Sequence, residues 1–455
     1  MRFRLPQTTG TPAVDLPLLH GAVALLLWGI FLIKLPLIVA CGLLLGLFCA
    51  LQSVAITGSV DRISGLVLAN LLFWLLSGLL CGALTMSMLS QPGYYSNEGR
   101  VFINYLPFLI LSSCVVGRST LRLTIRHIRW MALAGLVLYA IWSVRHLPLL
   151  SVGRAHNFAG FLTSHTGSGT FFAELCIFLL IFGLRTRRRM TQLLGLAMLL
   201  PVLGSGSREA LVALVAVLLW YLRRRIFGPG LLVAVGLIAG LAWIMPTVSP
   251  HTYERVAEMF RTDTLRNIQA QLESTSSASW EPGQDRNLSG EQFNILSRVL
   301  YWSYAVRHFA DSPFIGAGFG RFNDRDVRFV GVEGLVYVGV SAQNSAATLN
   351  AHNSYLQLLQ ETGLVGLFLL LAVWAMLWRR VSRARRDYAD DPELLGYFEA
   401  MHGLIVFLLV AALFGHALGA PIDGIPVLCL LGLGLAYDNG RRRAWHLAIQ
   451  PQIWS

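Results

Sequence analysis

Apolar stretches of about the length that crosses a bilayer recur along most of this chain. Examples lie at residues 25–33 (LLLWGIFLI), 65–80 (GLVLANLLFWLLSGLL) and 364–377 (LVGLFLLLAVWAML). A helix needs roughly 20 apolar residues to cross hydrocarbon, because each residue advances it by only about 1.5 Å. With 55% hydrophobic and 13% charged residues and a mean hydropathy of +0.59, the chain departs from the composition of soluble domains. These features predict an all-α, polytopic membrane protein.

The spacing of these stretches predicts about 12 transmembrane helices. Their centres lie near residues 25, 45, 76, 109, 137, 175, 197, 215, 236, 367, 408 and 430. We therefore expect helices 1–9 within residues 1–245, one large loop at 246–350, and helices 10–12 within 351–455. Two parts of the loop have helical spacing of apolar residues, so we expect it to be partly helical. A loop of this size usually carries function.

The formal charge of +12 comes from short basic clusters between the apolar stretches. The clusters are Arg2/Arg4, Arg62, 118–129, 185–189, 223–225, 379–386 and 441–443. Twelve spans place every cluster on one side, and basic loops mark the cytoplasmic side. We therefore predict cytoplasmic termini, an uncleaved N-terminal signal anchor, and a periplasmic loop 246–350. The scattered clusters indicate contact with membrane lipids and predict no nucleic-acid partner.

Four polar residues lie on the predicted outer face of the membrane, opposite the basic clusters. They are Arg208 in GSGSREA, Arg298 in SRVLYW, Arg307 in VRHF and His352 in AHNSYL. Each also has a structural interpretation, because arginines can reach lipid headgroups or pair with acidic loop residues, and His-Asn can cap a helix. Their common location favours a functional site.

The chemistry available outside a cytoplasmic membrane narrows the function of such a site. Nucleotide sugars and ATP are not normally available there, so the energy of the bond must come with the donor, as in a polyprenyl-diphosphate-linked sugar. Guanidinium groups match phosphate oxygens with paired hydrogen bonds and suit the departing diphosphate. An imidazole, which titrates near neutral pH, suits removal of the proton from an acceptor hydroxyl. These residues predict glycosyl transfer.

Other motifs give weaker signals. Asp324 and Asp326 have the spacing of a metal-binding pair, but neighbouring arginines favour surface ion pairs, so we expect no metal and no cofactor. The glycines of GAGFG, at residues 316–320, superficially resemble a dinucleotide fingerprint. No strand is predicted before them, so they indicate a tight turn.

The segment AHNSYLQLLQETGLVG resembles the hallmark of the bacterial O-antigen ligase and O-antigen polymerase superfamily. That pattern is His, then Asn, Ser or Gln, nine residues, Gly, two residues and often Gly. Here it corresponds to His352, Asn353, Gly363 and Gly366. GSREALVAL around Arg208 and the segment from Arg298 to the Gly-rich turn are further matches, so the resemblance covers residues 195–375.

The resemblance implies a metal-independent, inverting glycosyltransferase with a GT-C-like fold in the bacterial inner membrane, active in lipopolysaccharide biosynthesis. It implies that Arg208 and Arg298 bind the diphosphate of an undecaprenyl-linked glycan and that His352 activates the acceptor. Other candidates for substrate binding are Arg307, Arg154, Asn353, His416 and Asp423. Helix packing explains His416 and Asp423 equally well.

The resemblance leaves the acceptor open. Lipid A-core would make the protein an O-antigen ligase, which we slightly favour, whereas a second lipid-linked glycan would make it an O-antigen or exopolysaccharide polymerase. A protein O-oligosaccharyltransferase is a third alternative, which the short segment after the last span disfavours. The non-enzyme alternative is a lipid-linked glycan transporter. A transporter would bury its charges at mid-membrane depth, where Glu174 is the main example here.

Overall fold

The protein is helical throughout the part of the chain that the structure, a computed structural model, describes. This part comprises residues 17–32, 36–57, 62–80, 105–150, 158, 165–222, 236, 240, 243, 298, 301–302, 305–320, 322, 351–415, 418 and 421–453. The longer elements are α1 (Pro17–Leu32), α2 (Pro36–Thr57), α3 (Arg62–Leu80), α4 (Arg118–Leu150), α5 (His165–Thr186), α6 (Arg189–Ala197), α7 (Leu199–Ser205), α8 (Arg208–Leu222), α9 (Ser354–Asp387), α10 (Pro392–Ala411) and α11 (Pro421–Ile453). No strand occurs among these residues, so the all-α prediction is confirmed for them.

Five of the described helices are long and apolar enough to cross a membrane. These stretches are Arg62–Leu79, Arg118–Val144, Gly167–Thr186, Ser354–Asp387 and Pro392–Ala411. Shorter apolar helices occur at Leu18–Gly29, Ile38–Val54 and Arg189–Ser205. The chain is therefore a multi-pass membrane protein. The count of twelve spans stays a prediction, and most of 223–350, which includes the predicted loop, lies outside the described residues.

Helices α5 and α10 form the centre of the bundle. Most of their side chains are buried inside the protein, whereas α4 exposes a regular apolar stripe suited to lipid. Gly403 of α10 allows the close approach, because a Cβ added there would lie 2.6 Å from Cδ1 of Ile181 in α5. Nearby, the rings of Phe178 and Tyr397 pack edge to face with their centroids 5.8 Å apart. Close packing of this kind stabilises helix pairs where lipid gives little hydrophobic drive.

Basic clusters from four parts of the chain meet at the end of the bundle where α10 begins. Asp391 caps α10 by accepting from the backbone N–H groups of Glu393 and Leu394. The ion pairs at this end are Arg118–Asp391, Arg118–Glu393, Arg122–Glu393, Arg188–Glu393, Arg185–Glu399, Arg385–Glu399, Arg380–Asp438, Arg442–Asp438 and Arg442–Asp387. The clusters therefore share one end, as their spacing predicts. That this end faces the cytoplasm stays a prediction.

Candidate functional site

The opposite end of the bundle joins the start of α9 to the end of α10. The backbone N–H of Ser354 donates to the carbonyl oxygens of Ala412 at 2.9 Å and Gly415 at 3.2 Å. The Ser354 hydroxyl also donates to Gly415 O, at 3.1 Å. Because α10 has 20 residues, about 30 Å separates this end from the basic clusters, which is close to the hydrocarbon thickness of a bilayer. His352 therefore lies at one rim of the bundle.

His352 has a positive φ of 47°, a backbone conformation that residues other than glycine rarely adopt. The residue before it, Ala351, is fully buried, and its carbonyl accepts a 2.8 Å hydrogen bond from Nε1 of Trp302. The residue after it, Asn353, is held by the helix cap described next. Both neighbours are thus fixed, and they impose the conformation between them. Strained backbone of this kind is concentrated at functional sites, where the surrounding structure maintains it.

Asn353 is the N-cap of α9. Its side-chain oxygen accepts hydrogen bonds from the backbone N–H groups of Tyr355 at 3.0 Å and Leu356 at 3.1 Å. This arrangement satisfies two of the N–H groups that a helix start otherwise leaves without partners. The capping interpretation of the His-Asn pair is therefore correct for Asn353, whereas its predicted contact with substrate stays a prediction.

Arg208 begins α8 directly after a sharp turn. Gly206, with φ of 68°, ends α7 in the left-handed conformation. The turn packs tightly on α5, because a Cβ added to Gly169 would lie 2.4 Å from both Oγ of Ser205 and Cβ of Ser207. The glycines and serines of TGSGT and GSGSR thus allow the two segments to touch. The chain therefore bends directly before Arg208, which is the first residue of α8.

Glu209 brings the separate parts of the site together. Its carboxylate interacts electrostatically with Arg298 and Arg208, the interaction with Arg298 being the stronger. The same carboxylate packs against Gly415, since a Cβ added to Gly415 would lie 2.0 Å from Oε2 of Glu209. Gly415 in turn accepts the hydrogen bonds from Ser354, two residues after His352. The Glu209 carboxylate therefore lies beside the start of α9 and within electrostatic range of Arg208 and Arg298.

A break inside α9 receives the Gly-rich turn. Gly363 has φ of 63° and ψ of −165°, which interrupts the helix and frees backbone groups on both sides. The turn that follows helical residues 305–311 fills the break. Its hydrogen bonds run from Ala317 N to Gln360 O (2.9 Å), Gly318 N to Glu361 O (2.8 Å), Leu364 N to Pro313 O (2.8 Å) and Val365 N to Phe314 O (3.1 Å). GAGFG therefore acts as a turn, as predicted.

The geometry of this region agrees with a comparison of the whole sequence with known families. Residues 193–371 match the family model described as O-Antigen ligase. The chain carries an O-antigen ligase domain. The matched stretch includes α8, Arg298, the Gly-rich turn, His352 and the break at Gly363, so the predicted membership of the O-antigen ligase and polymerase superfamily is confirmed. No curated protein matches the chain.

Four further candidate residues lie in this O-antigen ligase domain or in the segments that flank it. Arg307 is exposed on the short helical segment that leads into the Gly-rich turn. Asp423 lies in the first turn of α11. Arg154 and His416 lie outside the described residues. The roles of all four in substrate binding stay predictions.

The site residues predicted from the sequence do not include Glu209 and Gly415, which the structure brings together at the candidate site. Glu209 was visible only as the residue after Arg208, and Gly415 carries no signal in the sequence alone. A carboxylate next to an arginine at the start of a predicted span is a usable signal in the sequence, because a charge that becomes buried there requires a partner. Within the described part of the chain, no group of three or more His, Cys, Asp or Glu residues could hold a metal ion.

Proposed function

We propose that this O-antigen ligase domain protein transfers a glycan from undecaprenyl diphosphate to a sugar hydroxyl of lipid A-core, at the periplasmic face of the bacterial inner membrane. The observation that carries the proposal is the position of the Glu209 carboxylate, which packs against Gly415 beside the start of α9 and interacts electrostatically with Arg208 and Arg298. It supports a compact site that holds two guanidinium groups and an imidazole.

The proposed reaction is a single displacement. The acceptor oxygen forms a bond to the anomeric carbon while the bond from that carbon to the diphosphate oxygen breaks, so the configuration inverts. His352 takes the proton of the acceptor hydroxyl. Arg208 and Arg298 neutralise the charge that develops on the departing undecaprenyl diphosphate, with Arg307 and Arg154 as further phosphate contacts. No metal ion or cofactor takes part in the proposed step.

The placement in the membrane rests on charge. Basic clusters gather at the end of the bundle where α10 begins, and such clusters mark the cytoplasmic side. His352 and Arg208 belong to the other end, which we therefore assign to the periplasm. A lipid-linked donor in the outer leaflet reaches this rim without leaving the membrane, while the acceptor sugar approaches from water.

A polymerase reaction is the second candidate, because the superfamily includes both activities and the proposed chemistry is the same. The two differ only in the acceptor. The purified protein should be given an undecaprenyl-diphosphate glycan together with either lipid A-core or excess donor. We expect glycosylated lipid A-core; a lengthened lipid-linked glycan would assign the polymerase, and no product with either acceptor would contradict glycosyl transfer.

Two further measurements test the proposed chemistry. His352→Ala should abolish transfer while the protein stays folded and still binds undecaprenyl diphosphate, since the imidazole serves only the acceptor. Transfer at the wild-type rate by the folded variant would remove His352 from the mechanism. Transfer should also survive a chelator. If a chelator abolishes transfer and a divalent metal restores it, Asp324 and Asp326 would become the candidate metal ligands.

A further inference from the structure

Glu209 has no part in the displacement described above, yet it occupies the centre of the site. It lies in the first turn of α8, where a carboxylate is favoured by the exposed N–H groups of the helix start. Its side chain is half-buried and interacts electrostatically with two guanidinium groups, that of the adjacent Arg208 and that of Arg298, which is distant in the sequence. A residue in this position affects both arginines at once.

The negative charge of Glu209 affects the two arginines. Two guanidinium groups close together repel each other, and partial removal from water strengthens the repulsion. In its ionised form the carboxylate reduces the charge of the group from two positive charges to one, which lowers the cost of holding Arg298 near Arg208 before any donor binds. The same carboxylate repels the diphosphate, which weakens the hold of the site on undecaprenyl diphosphate after transfer.

The carboxyl group of Glu209 also packs against Gly415. The three atoms nearest to a Cβ built on Gly415 are all in the Glu209 carboxyl group, at 2.0 to 3.3 Å. The carbonyl of Gly415 also accepts both hydrogen bonds of Ser354, at the start of the helix that follows His352. Glu209 therefore packs beside the element that leads from His352 into α9, and it interacts electrostatically with the two arginines.

We propose that Glu209 is a positioning residue that holds Arg298 beside Arg208, sets both against the start of α9, and limits the retention of the diphosphate product. This inference rests on the proposed function. It assigns to Glu209 a role in turnover that is separate from binding the donor.

The first test is Glu209→Gln, which keeps the shape of the side chain and removes its charge. We expect undecaprenyl diphosphate to bind about fivefold more tightly while kcat falls about tenfold, because the site becomes more positive but Arg298 loses its anchor. A purely structural role would lower Tm and leave both values unchanged for the folded protein. Asp311→Asn, which removes an exposed carboxylate near the Gly-rich turn, is the control and should change neither value.

The second test remains decisive if Glu209→Gln folds poorly. Gly415→Ala places a methyl group where the carboxylate lies, so it should lower kcat in the otherwise wild-type protein. In a Glu209→Ala background the space is empty, and Gly415→Ala should have no further effect. Additive losses of kcat, or a Glu209→Gln protein that binds and turns over like the wild type, would overturn the inference. Failure of the wild-type protein to transfer glycan would instead overturn the proposed function.

Discussion

The backbones of Gly363 and Phe314 lie in direct contact, since a Cβ added to Gly363 would be 2.3 Å from the carbonyl carbon of Phe314. This contact gives a physical meaning to the spacing of His352 and Gly363 in the motif. Nine residues of helix lie between Asn353 and the break, a length of about 13 Å. The spacing thus sets the distance from the rim to the point where the Gly-rich turn enters α9.

Gly363→Ala should destabilise the protein by about 2 kcal/mol or more, because φ of 63° with ψ of −165° is a conformation open essentially to glycine alone, and the new methyl group meets Phe314. Thermal unfolding in detergent measures the loss. Gly65→Ala is the matched control, because no atom lies within 4 Å of a Cβ at Gly65, and its Tm should not fall. Equal Tm values for the two variants would contradict the account of the break.

Asn353→Ala should cost about 1 kcal/mol of stability, because it removes the cap of α9. Asn353→Asp keeps an oxygen acceptor at the same place and should retain most of the stability and the transfer activity. Tm and the initial rate of glycan transfer check both statements. If Asn353→Asp keeps its stability but loses transfer, the amide contacts substrate, as the sequence analysis proposed.

Arg298→Lys should reduce kcat/KM for the lipid-linked donor by about tenfold or more although the charge remains. An ammonium group cannot form the paired, planar contacts of a guanidinium with phosphate oxygens. Arg383→Lys, an exposed change in the basic segment at the end of α9, serves as the control and should leave kcat/KM unchanged. A fully active Arg298→Lys protein would show that charge neutralisation alone is sufficient.

Glu399→Ala should destabilise the protein by about 2 to 3 kcal/mol, since its buried carboxylate pairs with Arg185 and Arg385, the latter at 2.7 Å. Glu393→Ala should cost about 1 kcal/mol or less, because its three arginine partners are exposed to solvent. Chemical unfolding compares the two. Neither change should alter kcat of the folded protein, because both lie at the end of the bundle away from His352.

Much of the architecture could be predicted from the sequence alone. The apolar stretches predict helices, because a backbone in hydrocarbon must satisfy its own hydrogen bonds. The arginine clusters at 118–129, 185–189 and 379–386 predict a common end, and the structure joins them through Asp391, Glu393 and Glu399. Local composition is sufficient for these features, since each depends on the solvent around a segment rather than on a particular distant partner.

Only the tertiary structure decided how the site is assembled. Nothing near Glu209 in the sequence indicates that Gly415 leaves room for its carboxylate, or that Arg298 interacts with it electrostatically. Likewise, the need for glycine at position 363 follows only from the packing of the turn at Phe314 against it. These contacts join residues that are about 50 to 200 positions apart, and the packing of helices, not local propensity, determines which distant backbones and charges meet.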